Sequence, residues 1–203
     1  MVLGKLKQTF NRWIEAEAGL LHRLGLSPNG ITVLGLFTSL TSAALYFNWR
    51  THAWFVPCAG LLLLLSGFFD ALDGAVARLS ASATAFGGFL DSLLDRYSDA
   101  AILIAVVLSG LCDPLWGLIS LSGSLLVSYS RARAEMEGVK MVSIGLAERA
   151  ERMILIALLS LISPIWKDSL WWGMVVLGVA THITVMQRAY YFYKCSRTTQ
   201  KIM

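Results

Sequence analysis

The residues of this 203-residue chain best suited to chemistry are four aspartates, Asp70, Asp73, Asp91 and Asp95. Asp70 and Asp73 are three positions apart, and Asp91 and Asp95 are four apart. On a helix both spacings put the pair on one face. Carboxylates gathered at membrane depth repel one another and lose hydration, so something positive must offset them. Arg78 and Arg96 lie close in sequence. Divalent metal answers the need better, because all-oxygen clusters favour hard cations such as Mg²⁺ or Mn²⁺. Asp70, Asp73, Asp91 and Asp95 are therefore the expected metal ligands. Four aspartates can hold two ions about 4 Å apart, which clamps the attacking and leaving oxygens of a phosphoryl transfer.

The elements that position these groups are apolar. Hydrophobic residues make up 56% of the chain and charged residues 15%, against about 25% charged in soluble domains. A bilayer core needs about 20 apolar residues per helix. Six runs qualify, at 31–49, 53–72, 88–111, 115–136, 150–166 and 169–193. Period-2 alternation is absent, which argues against a β-barrel. The expected fold is an all-α integral membrane protein of six transmembrane helices, forming one domain over 1–203. An interfacial amphipathic segment at 1–27 precedes it, mixing Phe10, Trp13 and Ile14 with Lys5, Lys7 and Arg12. The sequence Ser27-Pro28-Asn29 breaks the chain before the first span. No removable signal peptide is expected.

Of the 17 Lys and Arg, all but Arg50 and Lys167 fall on one side of this arrangement. The positive-inside rule makes that side cytoplasmic, with both termini and the aspartates. The net charge of +4 points to anionic lipid headgroups and not to nucleic acid. Cys58, Cys112 and Cys195 are too scattered for a metal site or a disulfide framework. His22, His52 and His182 lie away from the aspartates, and Trp166, Trp171 and Trp172 suit an aromatic belt.

The string Asp70-x2-Asp73-Gly74-x2-Ala77-Arg78-x8-Gly87-x3-Asp91-x3-Asp95 resembles the signature of the CDP-alcohol phosphatidyltransferase family, with every fixed position matched. The resemblance implies six membrane helices, a homodimer and a polar cavity open to the cytoplasm of a multi-pass cell-membrane protein. It implies two metal ions on the four aspartates, with Asp95 also the proton acceptor for the incoming hydroxyl and Asp91 beside it in catalysis. Gly74, Arg78 and Thr84, with the turn Asn29, Gly30, Ile31 and Thr32, would touch the CDP-lipid.

A second cluster follows. Arg131 and Arg133 end the fourth run, Arg149 and Arg152 open the fifth, and Lys140 lies between. Glu135, Glu148 and Glu151 can pair with some of them, and with Glu137 counted the cluster carries a net charge of only +1, so the glutamates orient the arginines. Arginine forks grip phosphate bidentately, whereas lysine would serve orientation equally well. An acceptor that itself bears phosphate needs such a cluster. The pattern SYSRARAE followed by ERAER resembles the phosphatidylinositol-phosphate synthases of bacteria and, more closely, the archaetidylinositol-phosphate synthases of archaea. The implied acceptor is inositol 1-phosphate, and the implied donor CDP-archaeol or CDP-diacylglycerol. Arg131, Arg133, Arg149, Arg152 and Arg188 are the expected phosphate contacts. Glycerol 3-phosphate or another alcohol is the alternative acceptor. A cation or proton transporter is the rival from another class, because ion pathways also use intramembrane carboxylates. Against it, only Asp113 and Asp168 lie on the far side.

Overall fold

The computed structural model describes residues 14, 16–21, 23–80 and 82–200, the last three by backbone alone. Six helices follow one another: α1 Pro28–Phe47, α2 Phe55–Leu79, α3 Ala85–Leu108, α4 Pro114–Met136, α5 Arg149–Ile162 and α6 Ser169–Gln200. No strand occurs among the described residues.

The starts follow local chemistry. Ser27 caps α1, its hydroxyl accepting from the Gly30 amide at 3.2 Å, with Pro28 in the first turn. Proline there removes an amide that has no helical partner anyway. Thr84 caps α3 by accepting from Gly87 N at 3.0 Å, and Asp113 caps α4 by accepting from Leu115 N at 2.8 Å. The break expected at Ser27-Pro28-Asn29 is thus a helix start.

Three of the six expected crossings are long and apolar enough to span a bilayer: Pro28–Phe47, Phe55–Leu79 and Ser169–Arg197. The others depart for physical reasons. α3 carries Asp91, Asp95, Arg96 and Asp99. α4 is thinned by serines and glycines. α5 has only 14 residues, about 21 Å of helix at a 1.5 Å rise, because turns replace helix from Ser163 onward.

Helix α2 packs on α1 and α5, α3 packs on α1, and α4 packs on α6. Tyr46, Leu63, Ile102, Leu103, Ile156 and Met174 are buried at the centre. Hydroxyls tie the helices together inside this core. Tyr46 bonds Ser160 at 2.6 Å, Ser42 donates to the Ala59 carbonyl at 2.7 Å, and Ser120 to the Met174 carbonyl at 2.7 Å. Ser39 bonds Ser98 between α1 and α3. The outside is apolar, with Phe37, Leu61, Leu108 and Leu118 exposed, as a lipid-facing surface requires.

Most of the expected interfacial segment, 1–13 with 15 and 22, lies outside the described residues. Residues 14, 16–21 and 23 are helical. Ile14 and Ala18 are buried against Ile31, Leu72, Ala75 and Val76, so this stretch braces the ends of α1 and α2 that carry the site.

Gly60 sets the spacing between α2 and α5. A Cβ there would lie 2.8 Å from the Ala157 carbonyl oxygen and 2.8 Å from Ser160 Cβ. Backbone cannot yield as a flexible side chain does, so Gly60→Ala forces the helices apart. A loss of about 1–3 kcal/mol is expected, read as a lower melting temperature in detergent.

Candidate functional site

The last turns of α2 and the first half of α3 bring their carboxylates together, and the starts of α1 and α5 contribute Thr32 and Arg149 beside them. Asp70 and Asp73 come from α2, and Asp91 and Asp95 from α3. One carboxylate oxygen each from Asp70, Asp91 and Asp95 lies within 4.8 Å of the others. Asp73 stands outside this tight group, buried at 6% exposure.

Two carboxylate oxygens of the site, Asp73 Oδ2 and Asp91 Oδ1, are buried without a hydrogen-bond partner. Buried acceptors in that condition are costly and call for a partner. The donor set is entirely carboxylate, which fits a hard divalent cation. The residues present therefore fit a metal ion.

A cation of the chain's own enters this centre. Arg149, from the first turn of α5, places Nη1 2.9 Å from Asp70 Oδ2 and Nη2 2.9 Å from Asp95 Oδ1. Its Nε lies 3.3 Å from Asp99 Oδ1. Asp99 also receives Arg152 Nη2 at 2.7 Å, and both of these side chains are 1% exposed. Arg96 makes only a long contact of 3.5 Å with Asp95.

The carboxylates form the wall between two cavities. The smaller, about 260 Å³, is lined by Asn29, Thr32, Asp73, Gly74, Arg78 and Thr84 among others. The larger, about 770 Å³, is lined by Asp70, Asp95, Arg96, Ser128, Arg131 and Arg149 among others. Asp91 lines both. Gly87 lets the starts of α1 and α3 meet at the smaller cavity: a Cβ there would come within 3.1 Å of Asn29 Oδ1 and of Thr84 Oγ1.

The structure sorts the expected residues. Asn29, Thr32, Gly74, Arg78 and Thr84 share the smaller cavity. Ile31, expected beside them, is 1% exposed and packs in the core. The Gly30 amide is turned to the Ser27 hydroxyl. Gly88 has open space where a Cβ would go and lines the same cavity.

Of the five arginines expected to share one phosphate, Arg131 and Arg149 line the larger cavity. Arg133 is exposed and pairs with Glu137 at 2.7 Å. Arg152 is enclosed with Asp99 and the Ala147 carbonyl. Arg188 is buried and clasps the α4–α5 connection. Its Nε donates to the Ile144 carbonyl at 2.8 Å, Nη1 to the Val127 carbonyl, and Nη2 to Glu148 at 3.2 Å. Thr184, also on α6, completes the clasp by accepting from Leu146 N at 3.1 Å and Ala147 N at 3.0 Å. The expected glutamate pairing holds for Arg131 with Glu135 at 2.9 Å, whereas Glu148 pairs with Arg188.

Asp99 and Thr184 escaped the sequence reading. A signal for Asp99 existed: it follows Asp95 by four residues, as Asp95 follows Asp91, and so continues one helical stripe. Thr184 sits in an apolar run and carries no such signal.

Comparison with known proteins agrees with this geometry. Residues 25–190 match the profile of the CDP-alcohol phosphatidyltransferase family. The archaetidylinositol phosphate synthase of Pyrococcus horikoshii is 38% identical over 190 residues, covering 93% of this chain and 95% of that one. The crystal structure of Mycobacterium tuberculosis phosphatidylinositol phosphate synthase with CDP-DAG bound superposes with a TM-score of 0.78 at 31% identity, covering 90% of this chain and 94% of that one. The same enzyme in complex with manganese and citrate gives a TM-score of 0.76, at 31% identity and covering 89% of this chain and 88% of that one.

Asn in place of a candidate ligand keeps the shape and removes the charge, which tests the cation site directly. Asp91→Asn is expected to lower Mn²⁺ affinity by about tenfold or more, read by electron paramagnetic resonance titration without substrates. Unchanged affinity would exclude Asp91 as a ligand.

Proposed function

Because this chain belongs to the CDP-alcohol phosphatidyltransferase family, we propose that it transfers the lipid-phosphoryl group of a CDP-activated lipid to inositol 1-phosphate, releasing CMP. The product is archaetidylinositol phosphate or phosphatidylinositol phosphate, according to whether the donor is CDP-archaeol or CDP-diacylglycerol. The observation that carries this reading is the carboxylate wall between two cavities, with arginines in the larger one.

The smaller cavity takes the CDP group. Asn29, Thr32, Gly74 and Thr84 shape it, and Arg78 faces the phosphates that leave with CMP. The larger cavity takes the acceptor, whose phosphate meets the forks of Arg131 and Arg149. Arg152 and Arg188 support this wall through Asp99 and Glu148. The reacting atoms meet at the carboxylates. The acceptor hydroxyl gives its proton to Asp95 as its oxygen bonds to the lipid-linked phosphorus. The phosphorus–oxygen bond to CMP breaks, and CMP carries away the negative charge. Asp70, Asp73, Asp91 and Asp95 would hold two Mg²⁺ or Mn²⁺ ions, which supply charge neutralisation to the reacting phosphoryl oxygens. Holding substrates on opposite sides of one rigid wall supplies orientation.

The same reading places all six helices across the membrane, with both termini and the site cytoplasmic. The distribution of Lys and Arg and the exposed apolar belt support it. Residues 1–27 lie along the interface, the whole of 1–203 serves as one catalytic unit among membrane lipids, and two copies pair as a homodimer.

Purified protein incubated with CDP-lipid and Mg²⁺ should release CMP with inositol 1-phosphate and far more slowly with glycerol 3-phosphate. The reverse preference would overturn the acceptor assignment. Metal flux into liposomes without CDP-lipid would favour a transporter instead. Asp95→Asn should lower kcat by about 10²-fold or more while CDP-lipid binding remains measurable by calorimetry.

A further inference from the structure

Asp99 stands outside the four-aspartate pattern, yet its side chain is more enclosed than any of those four. At 1% exposure an ionised carboxylate must be paired on both oxygens. It is: Oδ2 receives Arg152 Nη2 at 2.7 Å, and Oδ1 receives Arg149 Nε at 3.3 Å. Arg152 is itself fixed, because its Nη1 donates to the Ala147 carbonyl at 3.2 Å. Arg152 meets only one oxygen of Asp99, and the other is met by Arg149. The second bond satisfies Oδ1 and also runs from that enclosed pair out to an arginine on the cavity wall.

A guanidinium is planar, with its donors in a rigid fork. Holding the Nε edge fixes the plane and leaves the two terminal nitrogens free to face one direction. In Arg149 those nitrogens face the reaction wall, each 2.9 Å from a carboxylate oxygen of Asp70 or Asp95. Both aspartates line the larger cavity. With Nε released, Arg149 keeps only its two terminal contacts on Asp70 and Asp95, and a fork drawn from them toward a phosphate has nothing left to fix its plane.

We propose that Asp99 is a positioning residue that orients the Arg149 fork toward the phosphate of the acceptor, with Arg152 anchoring Asp99 from behind. The proposal rests on the larger cavity being the acceptor site. Asp99 touches neither substrate and acts through Arg149 alone.

The test is steady-state kinetics on the full chain in detergent, varying inositol 1-phosphate and CDP-lipid separately. Asp99→Asn keeps the shape and removes the charge. It should raise the acceptor KM about tenfold, the size of one lost charge-assisted hydrogen bond. The CDP-lipid KM should stay within about twofold of its starting value. Asp99→Glu keeps the charge that Arg152 needs and displaces it by one methylene, so a smaller rise is expected. Adding Asp99→Asn to Arg149→Gln should raise the acceptor KM no further, because residues acting through one contact are not additive. Equal rises in both KM values, or additivity in the double variant, would overturn the proposal. If Asp99→Asn fails to fold, as judged by its melting curve, Asp99→Glu decides: a raised acceptor KM supports the role and an unchanged one overturns it. A wild-type chain that releases no CMP with inositol 1-phosphate fails before any variant is compared. That result removes the acceptor reading and this role with it.

Discussion

The structure depends on keeping several carboxylates together at the ends of two apolar helices. Asp70, Asp91 and Asp95 converge within 4.8 Å, and Asp73 and Asp99 are buried beside them. Left alone, such a group would push α2 and α3 apart. Arg149 opposes this by meeting Asp70, Asp95 and Asp99 at once. A buried charge stripped of its partner costs about 3–5 kcal/mol, so the entry of α5 into the site is fixed by electrostatics as much as by packing. The unpartnered oxygens of Asp73 and Asp91 are what remains for a metal to satisfy.

That constraint explains why the supporting elements are so closely tied. α5 is short, so its first turn must be held from elsewhere. Arg188 and Thr184 of α6 do so through the 144–148 segment. Gly60 presses α2 onto α5, and Tyr46 joins α1 to α5 through Ser160. Asp113, one of the two acids expected on the far side, caps α4.

Much of this was legible in the sequence, because the signals were local or periodic. Asp70 with Asp73, and Asp91 with Asp95, share faces by helical spacing alone, and Ser27-Pro28 marks a helix start by its own chemistry. Six apolar runs gave six helices in the right order. What escaped depends on contacts distant in sequence. Arg152 and Arg188 look like their exposed neighbours until tertiary structure buries them. Arg149 and Asp99 are 50 residues apart, so nothing local joins them. Ile31 belongs by position to a turn beside the smaller cavity, but helical phase turns its side chain into the core. The length of α5 was overestimated because an apolar run does not reveal where helix gives way to turns.

The meeting of Asn29, Thr84 and Gly87 has an electrical consequence. Each helix sums its peptide dipoles to roughly half a positive charge at its start. At this contact the starts of α1 and α3 border one cavity. Any anion lodged there lies in the combined field of two backbones, a favourable potential that no side-chain substitution removes.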